Sequence, residues 1–245
     1  MNLLLELAII FGLTVVQSVF GFGLLLFGTP TFLLIGYDFA NTINILMPVS
    51  ILISSLQFKK SRVNNKIFIR EYNIFCLPFL VIFLILALNY TLSIDFKFFV
   101  ALLLIFSSLL ILNKSKFSSL KAKFYQFKKL ALIIIGSIHG FTNMGGSFLS
   151  IYSTLISKNK KEYARYYVSY GYLIMGLIQY FTVWLFSFDL LNFSKLYYMA
   201  IALLVYFPAQ KIFLNINDKA YSKYINLIAL LYGLIIISSY LINFK

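Results

Sequence analysis

The sequence predicts an all-α integral membrane protein of two inverted-topology repeats, each a broken or re-entrant helical hairpin plus three transmembrane helices. Three observations predict it. Hydrophobic residues make up 61% of the chain and charged residues only 11%, where a soluble domain carries roughly 25% charged residues. Apolar runs fall at 3–36, 41–58, 72–90, 95–113, 130–157, 163–187, 195–212 and 222–242. Each is near or above the length of about 20 residues that crosses a hydrocarbon core. The basic residues collect in short clusters between these runs.

The clusters set the topology. Lys59, Lys60, Arg62, Lys66 and Arg70 form the first, and Lys114, Lys116, Lys121, Lys123, Lys128 and Lys129 the second. Lys158, Lys160, Lys161 and Arg165 form the third, and Lys211, Lys219 and Lys223 the fourth. Together they hold 18 of the 21 Lys and Arg residues. Cytoplasmic loops carry the excess of Lys and Arg, so all four are expected inside. Glu6, Asp38, Asp95 and Asp189 then fall outside with Lys97, Lys195 and Lys245, and both termini are expected outside.

The same side assignment turns two overlong runs into hairpins. The run at 130–157 begins and ends inside, and the run at 3–36 reads as its counterpart with both ends outside. Each half is then a hairpin followed by three crossings. The expected units are 1–113 and 130–245, joined by a basic cytoplasmic linker at 114–129. Inverted repeats of this kind are common among secondary transporters.

Several function classes drop out. The net charge of +14 would suggest nucleic acid on a soluble chain, but here it follows the positive-inside pattern, and no nucleic-acid partner is expected. The single cysteine, Cys76, excludes an intramolecular disulfide and any multi-cysteine metal motif. Glu6 is the first charge of the chain, so a signal peptide with a basic start is not expected, and the first run belongs to the fold. No Walker loop, zinc motif or nucleophile elbow is present. No enzymatic activity, metal or cofactor is expected.

The hairpins are the candidate site. Residues 24–36 would span about 20 Å as a helix and 146–157 about 18 Å, short of a hydrocarbon core of about 30 Å. The arms are therefore expected to meet inside the membrane near Gly21–Gly23 and Asn143–Gly146. Irregular backbone at that depth survives only where protein or a water-filled cavity covers it. A helix restarting there presents unpaired N–H groups with partial positive charge, which suits an anion. Substrate contacts are expected from Gln17, Ser18, Gly21 and Gly23 in the first hairpin and from Asn44 on the next segment. The second hairpin offers His139, Asn143, Gly145, Gly146 and Ser147. Thr29, Thr142, Tyr170 and Gln179 add hydrogen-bonding groups nearby. Small residues also serve plain helix packing, as Gly136 and Gly140 do by their spacing.

His139, the single histidine, is an ionisable group at membrane depth, and its protonation beside an anion would couple proton movement to transport. A neutral ring bonded to a carbonyl is the alternative. All seven carboxylates can be placed in loops or near membrane edges, which favours an anionic or neutral substrate over a cation.

The stretch Gln17-Ser18-Val19-Phe20-Gly21-Phe22-Gly23 with Pro30 resembles the first signature of the TauE/SafE family of membrane transporters. Gly140-Phe141-Thr142-Asn143-Met144-Gly145-Gly146-Ser147, followed by Lys160, Lys161 and Arg165, is similar to the second. Ser147 stands where many members carry Pro. The resemblance covers essentially the whole chain. It implies transport of small sulfur-containing anions such as sulfite, thiosulfate or sulfonates across the bacterial cytoplasmic membrane.

The expectation is a secondary transporter of a small anion, working by alternating access around a midplane site between the two Gly-rich hairpins. Its partners are the anion and the lipid bilayer. A passive anion channel and a non-transporting membrane assembly protein remain as alternatives on the same scaffold.

Overall fold

Gly21, Gly23, Asp38, Asn65, Asn143 and Asp218 each stand at a helix end in this chain. The structure is a computed structural model that describes residues 3–89, 102, 105, 126–157, 160–186, 188 and 193–243. Among them it is helical, without strands. The first half contains α1 (Leu3–Phe20), α2 (Leu24–Leu34), α3 (Phe39–Lys60), α4 (Lys66–Phe75) and α5 (Leu77–Asn89). The second contains α6 (Lys128–Thr142), α7 (Gly146–Ile156), α8 (Lys161–Phe186), α9 (Tyr198–Asn215) and α10 (Asp218–Asn243), with a 3-10 turn at Phe193–Lys195 before α9. The expected crossing at 95–113 and the linker segment 114–125 lie outside the described residues, apart from Leu102 and Ile105.

Among the described residues five stretches are long and apolar enough to cross a membrane: Leu3–Phe20, Asn41–Lys60, Lys66–Asn89, Lys161–Phe186 and Phe193–Asn215. The chain is thus a multi-pass membrane protein by the length and composition of its helices. The helices α2, with 11 residues, α6, with 15, and α7, with 11, are shorter. At 1.5 Å per residue they run about 16, 22 and 16 Å, less than a hydrocarbon core.

Several basic residues read from sequence as loop residues are helical. Lys66 and Arg70 lie on α4, Lys161 and Arg165 on α8, Lys211 on α9, and Lys219 and Lys223 on α10. Helices extend beyond their apolar stretch here, because long basic side chains carry their charge outward while their stems stay on apolar surface.

Hydrogen bonds gather these basic helix ends on one side of the protein. Asp218, at the start of α10, accepts from the Lys161 backbone N–H at the start of α8 at 3.0 Å. The Lys161 ammonium donates to the Phe213, Leu214 and Ile216 carbonyls, which closes the C-terminal end of α9. Cations favour such a helix end. Asn65, which caps α4 by accepting from the Phe68 N–H at 3.0 Å, donates through Nδ2 to the Tyr167 hydroxyl at 2.9 Å. Lys128 and Glu71 pair at 2.5 Å between α6 and α4.

At the other side sits a buried carboxylate. Glu6 in the first turn of α1 is only 4% exposed. It accepts from Tyr37 at 2.5 Å, from Lys195 at 2.9 Å and from Tyr198. Sequence reading placed Glu6 near a membrane edge; the partners that bury it come from residues about 30 and 190 positions away in the chain.

The packing of α6 against α5 depends on two glycines. A Cβ at Gly136 would stand 2.1 Å from the Cys76 carbonyl oxygen, and one at Gly140 would stand 2.3 Å from that of Leu80. Small residues four apart let helix backbones approach this closely. Cys76 itself is a free, buried thiol in the core.

Candidate functional site

The two interruptions foreseen near Gly21 and Gly145 are both present, and they have different surroundings. The first spans residues 21–23 between α1 and α2, with Gly21 at φ 87° and Gly23 at φ 134°. These left-handed values favour glycine. The C-terminal carbonyls of α1 have no continuing helix to receive them and are buried, so side chains must serve them. Gln57 of α3 donates to the Gln17 and Ser18 carbonyls at 2.7 and 3.0 Å. Gln210 of α9 donates to the Ser18 carbonyl at 3.2 Å, and the Tyr221 hydroxyl of α10 donates to the Phe20 carbonyl at 2.5 Å. The Gln17 side chain is fully buried and donates to the Ser50 and Ser54 hydroxyls at 2.9 and 3.1 Å.

These partners fix the depth of the first break. Gln57 is three residues from the end of α3, Tyr221 is in the first turn of α10, and a Cβ at Gly21 would meet the Arg165 side chain at 3.1 Å. The break therefore lies toward the basic side. The 18 residues of α1 explain this, since a helix of that length runs about 27 Å.

The second break lies deeper. The helix α6 ends at Asn143, which holds φ 59° and donates its N–H to the His139 carbonyl at 2.7 Å. Asn is the common substitute for Gly at such a left-handed helix end. Fifteen residues separate this point from the start of α6, or about 22 Å from the basic side. The Asn143 Nδ2 donates to Thr29 Oγ1 at 3.1 Å, which ties the second break to the middle of α2.

Around the start of α7 the buried polar groups converge. His139 and Gln179 are both fully buried, with His139 Nε2 3.0 Å from Gln179 Oε1. A carbonyl oxygen only accepts, so His139 donates through Nε2 and its Nδ1 is left as an open basic nitrogen. The Tyr172 ring stands edge-on to the imidazole with centroids 6.0 Å apart. Its hydroxyl points at the first residue of α7: a Cβ at Gly146 would stand 1.4 Å from the hydroxyl oxygen. A Cβ at Gly145 would stand 2.6 Å from that of His139. Four atoms here are buried without a hydrogen-bond partner among the described residues: His139 Nδ1, Asn143 Oδ1, Tyr172 OH and Gln179 Nε2. Buried polar atoms are nearly always paired, so a group of four at one helix start calls for an explanation.

The sequence-predicted residues thus divide into two groups. Gln17, Ser18 and Gly21 gather with Gln57, Gln210 and Arg165 at the first break, and Gly23 turns the chain into α2. His139, Asn143, Gly145 and Gly146 gather with Thr29, Tyr172 and Gln179 at the second. Asn44 is buried on α3. The Ser147 side chain lies outside the described residues. Sequence reading missed Gln57, Gln210 and Tyr221. The signal available for the two glutamines was a lone amide near the end of an apolar run. Tyr170, also considered from sequence, donates to Asn73 at 2.8 Å.

Comparison with curated proteins and with solved structures gave no match. A sequence model described as "Sulfite exporter TauE/SafE" matches residues 6–236, which takes in both breaks and every described helix up to most of α10. With multi-pass helices and a match over nearly its whole length, the chain belongs to the TauE/SafE family of membrane transporters of sulfur-containing anions.

Proposed function

We propose that the protein is a secondary transporter that carries a small sulfur oxyanion or sulfonate across the bacterial cytoplasmic membrane. The substrate site is the start of α7, bounded by His139, Asn143, Tyr172 and Gln179. The observation that carries this reading is the set of four unpartnered buried polar atoms beside the free N–H groups of a helix start. Tyr172 OH and Gln179 Nε2 donate to the anion's oxygens, and the helix start adds partial positive charge. A proton on His139 Nδ1 turns that nitrogen into a third donor, so anion and proton bind together.

In this reading residues 1–113 and 130–245 are the two inverted repeats, joined by the linker 114–129. They rock about the site in alternating access. The side that carries Lys59, Lys60, Lys66, Lys128 and Lys161 is cytoplasmic, and both termini are outside. The remaining predicted residues, Gln17, Ser18, Gly21, Gly23, Asn44 and Ser147, shape the wall through which the anion reaches this point.

Efflux of radiolabelled sulfite from proteoliposomes tests the reading. Saturable exchange, accelerated by unlabelled anion on the other side, is the expected result. Single-channel currents without counterflow would instead make the protein an anion channel. No movement of any sulfur oxyanion or sulfonate would remove the transport reading.

A further inference from the structure

The helix α8 carries a buried polar stripe from the α7 start to the basic side. Gln179, Tyr172 and Arg165 recur every seven residues, with Ser169 between the last two. Residues at this spacing share one helix face and step about 10 Å per two turns. Ser169, Tyr172 and Gln179 are fully buried. The stripe therefore passes from Gln179 and Tyr172 at the proposed substrate site to a guanidinium about 10 Å beyond Tyr172 toward the basic side.

That guanidinium is short of partners. Arg165 Nη1 donates to Gln210 Oε1 at 2.9 Å, and its Cζ lies 3.4 Å from the centre of the Phe213 ring. No carboxylate pairs with it among the described residues; the ion pairs there are Lys128–Glu71 and Lys195–Glu6. Glu162, which acts on its charge, is exposed on the first turn of the same helix and forms no ion pair with it. Guanidinium has five N–H donors in a planar fork suited to oxyanions, and among the described residues one is used. Two further hydroxyls nearby have no hydrogen-bond partner among the described residues: Ser18 Oγ, fully buried, and Tyr206 OH, 2% exposed. Ser18 is linked to Arg165 through Gln210, which donates to the Ser18 carbonyl, and Tyr206 stands within electrostatic reach of the guanidinium.

We infer that Arg165, with Ser18 and Tyr206, forms a second oxyanion station on the basic side, reached along the Gln179–Tyr172–Arg165 stripe. This rests on the transport reading above and gives it a direction of travel through the protein. Phe213 holds the guanidinium flat, and Gln210 orients its fork. The open donors face a tetrahedral oxyanion or a sulfonate, for which a planar fork and two hydroxyls supply complementary contacts.

The chain contains three arginines, Arg62, Arg70 and Arg165, so the variant R62K/R70K leaves Arg165 as the single target for phenylglyoxal. Its modification is followed by mass spectrometry, with sulfate, methanesulfonate or chloride added at equal ionic strength. By mass action, sulfate or methanesulfonate at twice its Kd should slow labelling about threefold relative to chloride. Labelling indifferent to the anion would overturn the station. In proteoliposomes Arg165→Gln should raise the KM for counterflow roughly tenfold, with Arg165→Lys in between, as loss of a charged hydrogen bond implies. Wild-type counterflow without protection of Arg165 refutes this inference and leaves the transport reading standing. Protection of Arg165 without wild-type counterflow supports the station and removes the transport reading.

Discussion

Asn143 Nδ2 donates to Thr29 Oγ1 at 3.1 Å, joining the turn after α6 to the middle of α2 across 114 residues of sequence. Both side chains are fully buried. The bond holds a left-handed Asn of the second half of the chain against α2 of the first.

Thr29→Val keeps the shape of that contact and removes its acceptor. A buried donor left unmatched costs about 1–3 kcal/mol. The expected result is a lower melting temperature in detergent, with the protein still folded. A melting temperature equal to that of the wild type would mean the bond does not hold the turn.

Gly136→Ala tests the contact between α6 and α5. The added methyl would meet the Cys76 carbonyl oxygen at 2.1 Å, and backbone atoms cannot swing aside. Overpacking of this kind costs about 1–3 kcal/mol or more. Loss of folded yield, read as the monodisperse fraction on gel filtration, is expected. Gly12→Ala, where a Cβ meets nothing within 4 Å, is the control and should leave yield unchanged.

The broad fold was legible in the sequence because membrane burial forces apolar runs and the positive-inside bias. Helices break at Gly21–Gly23 and at Asn143–Gly145 for a local reason, a glycine or asparagine in left-handed backbone, and such a reason can be read from one stretch of chain. Depth was not legible in the same way. It depends on which distant side chains serve the carbonyls of α1, and Gln57, Gln210 and Tyr221 lie about 40, 190 and 200 positions from the groups they meet. For the same reason the burial of Glu6 could not be seen from its own neighbours.

Tyr37 gives a pH dependence. It lies in the connection between α2 and α3, and burial together with the Glu6 carboxylate pushes its phenol up to about 12. A raised folded value means the protonated phenol is favoured by folding. Its contribution is complete below the unfolded value of about 10 and fades as pH rises through about 12. Tyr37→Phe should therefore be less stable than the wild type at pH 8, and the two should converge above pH 12. A constant difference across that range would show that Tyr37 acts through packing alone.

The Glu6–Lys195 pair lies at the side opposite the basic helix ends, and the Lys195 side chain is 30% exposed. Lys195→Met leaves Glu6 with its two phenol donors. The expected loss is about 1–3 kcal/mol, since the carboxylate is buried but keeps two of its three donors. Glu6→Leu strands Tyr37 and Tyr198 as well and should cost more. Thermal unfolding of the two variants ranks them, and an equal effect would place all the stabilisation in the ion pair.

The role of the α7 start is tested most directly by counterflow of radiolabelled sulfite into proteoliposomes containing wild type or Tyr172→Phe. Removing the hydroxyl deletes a donor aimed at Gly146 and leaves the ring in place. The expected result is saturable counterflow by the wild type and a roughly tenfold higher KM in the variant, with folded yield unchanged. Saturable counterflow with the same KM in both proteins would contradict a substrate site at His139, Asn143, Tyr172 and Gln179.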